Sequence, residues 1–123
     1  MEFIYYAKCT TCQKAKKYLD DNGINYKERD IKLEHPSEED IRRYHKLSNL
    51  PLKKFFNTSG ILYRQMNLKD RINDMDEQQM YQLLASDGML VKRPLVVMDD
   101  CVIVGFDKKL YQQLVDKLAR DFQ

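Results

Sequence analysis

Cys9 and Cys12, separated by Thr10 and Thr11, are the side chains best able to do chemistry in this chain. They follow a short apolar run, Phe3-Ile4-Tyr5-Tyr6, and open a lysine-rich helical pattern from Gln13 to Asp21. Two thiols at this spacing at the start of a helix can close a local disulfide. Backbone N–H groups without helical partners, together with the positive end of the helix dipole, favour a thiolate there. Cys9, at the helix start, reads as the exposed nucleophile. Cys12, one turn in, is more buried and suits a resolving role. A free thiol with a pKa of ~8.5 is only a few per cent thiolate at neutral pH, and lowering it to ~7 makes about half the population reactive. The dipole alone supplies roughly 0.3–1 kcal/mol, less than one pKa unit, so a nearby cation has to help. Lys8 is adjacent, but its side chain can point away. Two other uses of the pair stay open. Structural zinc needs four ligands, and the only residues left to complete a set, Cys101, His35 and His45, are not paired at ligand spacing; no metal is expected. A reduced pair that simply packs is the other alternative.

The elements that must position these thiols can be traced along the chain. With 123 residues, it is long enough for one domain with its own core. A net charge of +2 gives no electrostatic argument for nucleic acid. No apolar run approaches the ~20 residues of a membrane span, and the N-terminus begins a strand with no signal-peptide pattern. Three cysteines, one of them odd, fit a reducing cytoplasm better than a disulfide-framed secreted domain. There is no cofactor fingerprint, neither GxGxxG nor P-loop, so no cofactor is expected.

Phe3 to Ala7 reads as a buried strand. The helix after it turns Ala15, Tyr18 and Leu19 inward and Lys14, Lys16 and Lys17 outward, and stops at Asn22-Gly23. Asn25 to Arg29 reads as a second strand. Ser37 is the expected N-cap of the next helix, with Asp40 as the capping-box acid and Ile41, Tyr44 and Leu47 as its buried stripe. Pro51 opens a short segment, Leu52 to Phe56, closed by Asn57-Thr58-Ser59-Gly60. Leu68 to Ile72 and Glu77 to Ala85 read as further helices, the latter capped by Asp76 with Met80, Leu83 and Leu84 inward. Arg93-Pro94 precedes two strand-like runs, Leu95 to Met98 and Cys101 to Val104, joined by a tight turn at Asp99-Asp100. Leu110, Leu114, Val115 and Leu118 lie at helical spacing in a C-terminal helix.

The order is therefore β-α-β, a helical insertion at about 37–86, then β-β-α, within a single domain spanning 1–123. With CxxC at the first strand–helix junction, this resembles the thioredoxin fold, an α/β class with a mixed sheet. More narrowly the chain resembles the arsenate reductase/Spx family. The residues that carry the resemblance are Cys9-Thr10-Thr11-Cys12, the run Lys53 to Gly60, Leu84 to Leu90, Lys92-Arg93-Pro94, and Gly105-Phe106.

The resemblance implies that Arg93 lies across from Cys9 as the helping cation and that the Arg93–Pro94 bond is cis, with Pro94 facing the nucleophile. It places Asn57, beside Thr10 and Thr11, among the residues that position substrate. In arsenate reductases of this family several arginines hold the oxyanion. Here only Arg93 matches, Asn57 stands nearest the place of another, and no arginine follows the hairpin. A neutral amide does not replace a bidentate cation. Those reductases also usually lack a second cysteine. Both departures point from arsenate toward a thiol–disulfide oxidoreductase served by glutathione, glutaredoxin or thioredoxin. Spx-type members use CxxC as a redox switch and bind the C-terminal domain of the RNA polymerase α subunit, which is the alternative implied. Neither direct nucleic-acid binding nor a membrane partner is expected. Cys101 reads as a small strand residue, His35 and His45 as solvated, and Lys53-Lys54 with Lys14, Lys16 and Lys17 as solvated faces or a docking patch for an acidic protein. Phe55-Phe56 reads as packing.

Overall fold

The computed structural model describes residues 1–121. Strand β1 (Glu2–Tyr5) is followed by helix α1 (Thr10–Asp21) and strand β2 (Lys27–Asp30). Helices α2 (Glu38–Ser48), α3 (Ile61–Gln65), α4 (Leu68–Arg71) and α5 (Glu77–Ser86) come next, joined by 3-10 turns at Leu52–Phe55, Ile72–Asp74 and, after α5, Gly88–Leu90. Strands β3 (Leu95–Val97) and β4 (Val102–Val104) and helix α6 (Lys108–Asp121) complete the described chain. The sheet order is β2-β1-β3-β4. β1 runs parallel to β2, whereas β3 is antiparallel to both β1 and β4. This is the mixed sheet of the thioredoxin-like α/β class.

Alternation along β1 divides the core. Phe3 faces one side, with Ala15 and Leu19 of α1, Val96 and Ile103 of the sheet, and Tyr111 and Leu114 of α6. Ile4 faces the other, where Ile41, Tyr44, Phe55, Phe56 and Leu84 pack against Leu95 and Val97. Successive strand side chains point to opposite faces, so a two-faced strand has to be apolar at consecutive positions. The Ser37–Asp40 capping box forms as expected, with Asp40 N–H on Ser37 Oγ and Ser37 N–H on Asp40 Oδ2, both at 3.1 Å. At α5, Asp76 and Gln79 do the same.

Several boundaries move. β1 spans Glu2–Tyr5 rather than Phe3 to Ala7, because the Tyr6 carbonyl leaves the sheet to accept the Cys9 N–H at 3.0 Å. That turn lets α1 begin at Thr10, with Cys9 at the helix start as expected. β2 shifts to Lys27–Asp30, held by Lys27 N–H on the Met1 carbonyl and Ile31 N–H on the Tyr5 carbonyl, both at 2.9 Å. In α6, Leu114 is buried and Leu118 packs against the core as expected, but Leu110 is 42% exposed and Tyr111 is buried in its place. His45 is not a solvated side chain: its Nδ1 lies 2.6 Å from the Tyr81 hydroxyl and its ring meets Phe55 edge-on. His35 is exposed, as expected.

Candidate active site

Cys9 is the N-cap of α1. Its backbone is extended while its carbonyl already receives the Gln13 N–H at 3.0 Å, the first bond of the helix. Its side chain takes the place usually held by a serine or aspartate oxygen, so Sγ accepts the Cys12 N–H at 3.4 Å. Burial pushes the Cys9 thiol up, but the opposing contributions win and its pKa is lowered. They come from the Cys12 N–H, the Cys12 thiol, the positive charge of Arg93 and the Thr11 N–H. Cys12 has no solvent exposure. Burial, together with its bond to Cys9, raises its pKa to about 12, and the Tyr6 backbone and the Arg93 charge only partly offset this. Two thiols three positions apart are thus displaced in opposite directions, the Cys9 pKa downward and the Cys12 pKa upward. All three cysteines are free thiols.

The Arg93–Pro94 bond is cis. Pro94 is buried, and its carbonyl accepts the Gly105 N–H at 2.8 Å, where Gly105 adopts a φ of 80°. The Arg93 guanidinium lies over the Tyr6 ring, 5.3 Å from its centroid. One of its terminal nitrogens, Nη1, faces the Met89 and Val91 carbonyls at 3.4 and 3.5 Å. Its Nε is buried without a hydrogen-bond partner among the described residues.

A pocket of about 590 Å³ opens beside Cys9, with Thr11, Asn57, Lys92 and Arg93 also in its wall. The segment between β2 and β3 brings Asn57 here by pairing with the chain ahead of Arg93. Lys92 N–H bonds the Phe55 carbonyl at 2.7 Å and Asn57 N–H bonds the Leu90 carbonyl at 2.8 Å. Gly60 allows that placement, since a Cβ on it would lie 2.7 Å from Asn57 Nδ2. The structure therefore groups Cys9, Thr11, Asn57 and Arg93. Thr10 is exposed, and neither it nor Pro94 lines the pocket. Tyr6, Ser59, Ile61, Leu62, Met89 and Lys92 are in the wall but were not among the expected site residues. Lys92 precedes Arg93 in a motif already singled out, and Ile61, 65% exposed, gives the rim an apolar edge. Among the described residues no group of three His, Cys, Asp or Glu side chains is placed to hold a metal ion.

A thioredoxin-like sheet carrying a CxxC pair at the start of its first helix defines the class of protein. The ArsC family model matches residues 4–114, and the chain belongs to the ArsC family. It is 45% identical over 113 residues to the uncharacterized protein YusI of Bacillus subtilis, covering 92% of this chain and 96% of that one. A solved structure described as ArsC family related, from Bacteroides fragilis, superposes with a TM-score of 0.90 at 45% identity, covering 92% of this chain and 95% of the other. The global transcriptional regulator Spx of Staphylococcus epidermidis is 27% identical over 115 residues, covering 94% of this chain and 86% of Spx.

Proposed function

We propose that this chain is a thiol–disulfide oxidoreductase working in a reducing cytoplasm. The Cys9 thiolate attacks one sulfur of a substrate disulfide, forming a mixed disulfide and expelling the other half as a thiolate. Cys12 then attacks the Cys9 sulfur, giving the Cys9–Cys12 disulfide and releasing the bound half as a thiol. The substrate gains two electrons and the pair loses two. A thiol reductant such as glutathione, glutaredoxin or thioredoxin restores the dithiol. The opposite displacement of the two thiols carries this reading, because it separates the attacking sulfur from the resolving one. Arg93 supports Cys9 through its charge, and Asn57 and Thr11 orient substrate in the pocket. One guanidinium, with Nη1 turned toward backbone carbonyls, is a poor cradle for arsenate.

Trapping tests the roles. Incubated with glutathione disulfide, a Cys12→Ser variant should accumulate one glutathione on Cys9, read by mass, whereas the native protein proceeds to the internal disulfide. Cys9→Ser should abolish the exchange. An adduct that forms on Cys9→Ser but not on Cys12→Ser would reverse the assignment.

The likeness to Spx supports a second reading, a redox-sensing regulator that binds the C-terminal domain of the RNA polymerase α subunit. A titration of reduced and oxidised protein against that domain separates the two. Binding in neither state is expected for the oxidoreductase; micromolar or tighter binding that changes with redox state would make the chain a regulator.

A further inference from the structure

The cavity beside Cys9 has a sign. Among the described residues its wall carries two cations, Lys92 and Arg93, and no carboxylate. Thr11, Asn57 and Ser59 add neutral hydrogen-bonding groups, and Ile61 and Leu62 an apolar flank. Its volume of about 590 Å³ is that of a small-molecule site. The two cations are not equally available. The Arg93 guanidinium lies over the Tyr6 ring, its Nη1 faces the Met89 and Val91 carbonyls, and its Nε is shut from solvent. Lys92 is half-buried and held through its backbone, whose N–H bonds the Phe55 carbonyl. Its stem crosses Gly105, where an added Cβ would meet Lys92 Cε at 3.4 Å. Lys16, Lys17 and Lys117 each meet a carboxylate at 2.7 Å, whereas Lys92 meets none among the described residues. Asp107 shares an adjoining cavity with Lys92, but its Oδ1 is taken by the Lys109 and Leu110 N–H groups at 2.9 and 3.2 Å. Lys53 and Lys54 line that cavity too, so the surroundings stay positive. A half-buried ammonium beside the reacting sulfur thus lacks the counter-ion that a partly desolvated charge normally takes.

We propose that Lys92 is a specificity-determining residue, its ammonium binding a carboxylate on a small disulfide substrate while Cys9 attacks the sulfur of the same half. The proposal rests on the reading of Cys9 as the attacking thiolate and adds the class of substrate, a low-molecular-weight disulfide that bears a carboxylate. In that step the Cys9 thiolate forms a bond to the nearer sulfur. The substrate S–S bond breaks, and the far half leaves as a thiolate with the electron pair. Lys92 gains and loses no proton. A compact ammonium on a flexible four-carbon stem can follow carboxylates of somewhat different reach. A disulfide with cationic halves meets two like charges in the same cavity and is rejected.

The test follows adduct formation on Cys9, read by peptide mass, in a Cys12→Ser chain that stops after the first attack. Three aliphatic disulfides serve as probes: dithiodipropionate with carboxylates, hydroxyethyl disulfide without charge and cystamine with ammonium groups. Each rate is divided by the hydroxyethyl disulfide rate of the same protein, so any change in the thiol itself cancels. Lys92→Gln is expected to lower the dithiodipropionate ratio about fivefold, as for a charge pair still open to solvent, and to raise the cystamine ratio. Lys92→Arg keeps the charge and should retain most of the dithiodipropionate ratio. Added salt should lower that ratio when Lys92 is in place, because the pair is screened. A dithiodipropionate ratio unchanged in Lys92→Gln, or insensitive to salt, would overturn the proposal and leave Cys9 as the attacking thiol. No adduct on Cys9 with any of the three probes, with Lys92 in place, would overturn both.

Discussion

At the scale of the residue, the site turns on one sulfur occupying an N-cap. The cap and the Arg93 charge together outweigh the burial that acts the other way, so the Cys9 pKa is lowered. Arg93→Ala removes one of these supports, so the midpoint of Cys9 alkylation by iodoacetamide should move to higher pH and the rate at neutral pH should fall. An unchanged rate profile would take Arg93 out of the site. The sign for Cys12 is opposite. Its folded pKa lies near 12 against an ordinary 9.0, so the contribution is intact below 9.0 and is lost as pH rises between the two values. Cys9, Cys12, Arg93 and Asn57 were legible in the sequence because motifs fix their places along the chain. Tyr6 and Lys92 were not, since their entry into the pocket depends on the turn after β1 and on the pairing of Lys92 with Phe55. The distinction between Thr10 and Thr11 was invisible because helix phase decides which of them lines the pocket.

At the scale of the element, α2 is fixed at its first turn. Ser37 and Asp40 close the capping box, and Asp40 also receives Arg29 at 3.1 Å, while Arg29 reaches Glu2 on β1 at 3.5 Å. Ser37→Ala should therefore cost about 1 kcal/mol in denaturant unfolding. Burial works against the Asp40 carboxylate, but the Ser37 N–H and the Arg29 guanidinium hold its pKa below the ordinary 3.8. A carboxylate with a lowered folded pKa contributes stability that is complete above 3.8 and is lost as pH falls through the folded value. The gap in thermal midpoint between the native protein and Asp40→Asn should accordingly be constant near neutrality and close in acid; a gap that persists in strong acid would exclude this origin. Both capping residues were readable because a cap is a local signal. α3 was not anticipated: its five residues bury no side chain and Gly60 caps it with no side-chain bond, so it leaves no periodic stripe to find. In α6 the apolar spacing pointed to Leu110, but the sheet face prefers the larger Tyr111, and only packing against Phe106 and Tyr18 shows why.

At the scale of the whole molecule, the segment between β2 and β3 is bound to the sheet at points that leave no room for change. A Cβ on Gly88 would lie 1.8 Å from the Ile31 carbonyl oxygen and 2.8 Å from its carbon, backbone atoms just after β2 that cannot swing aside. Gly88→Ala should destabilise the fold by about 3 kcal/mol or more, read from urea unfolding; a loss under ~1 kcal/mol would show that the chain yields there. That contact anchors the Gly88–Leu90 turn from which the chain leads to Lys92, Arg93 and the cis bond. The sequence revealed the order of the strands and of the helices flanking them, but not this contact, which joins residues far apart along the chain. What the fold accomplishes is an inequality between two neighbouring thiols, and site-resolved alkylation of the native protein against pH measures it most directly. Cys9 should be labelled with a midpoint below 9.0, while Cys12 should resist until the pH approaches 12. Labelling of Cys12 alongside Cys9, or a Cys9 midpoint at or above 9.0, would contradict the division into attacking and resolving sulfur.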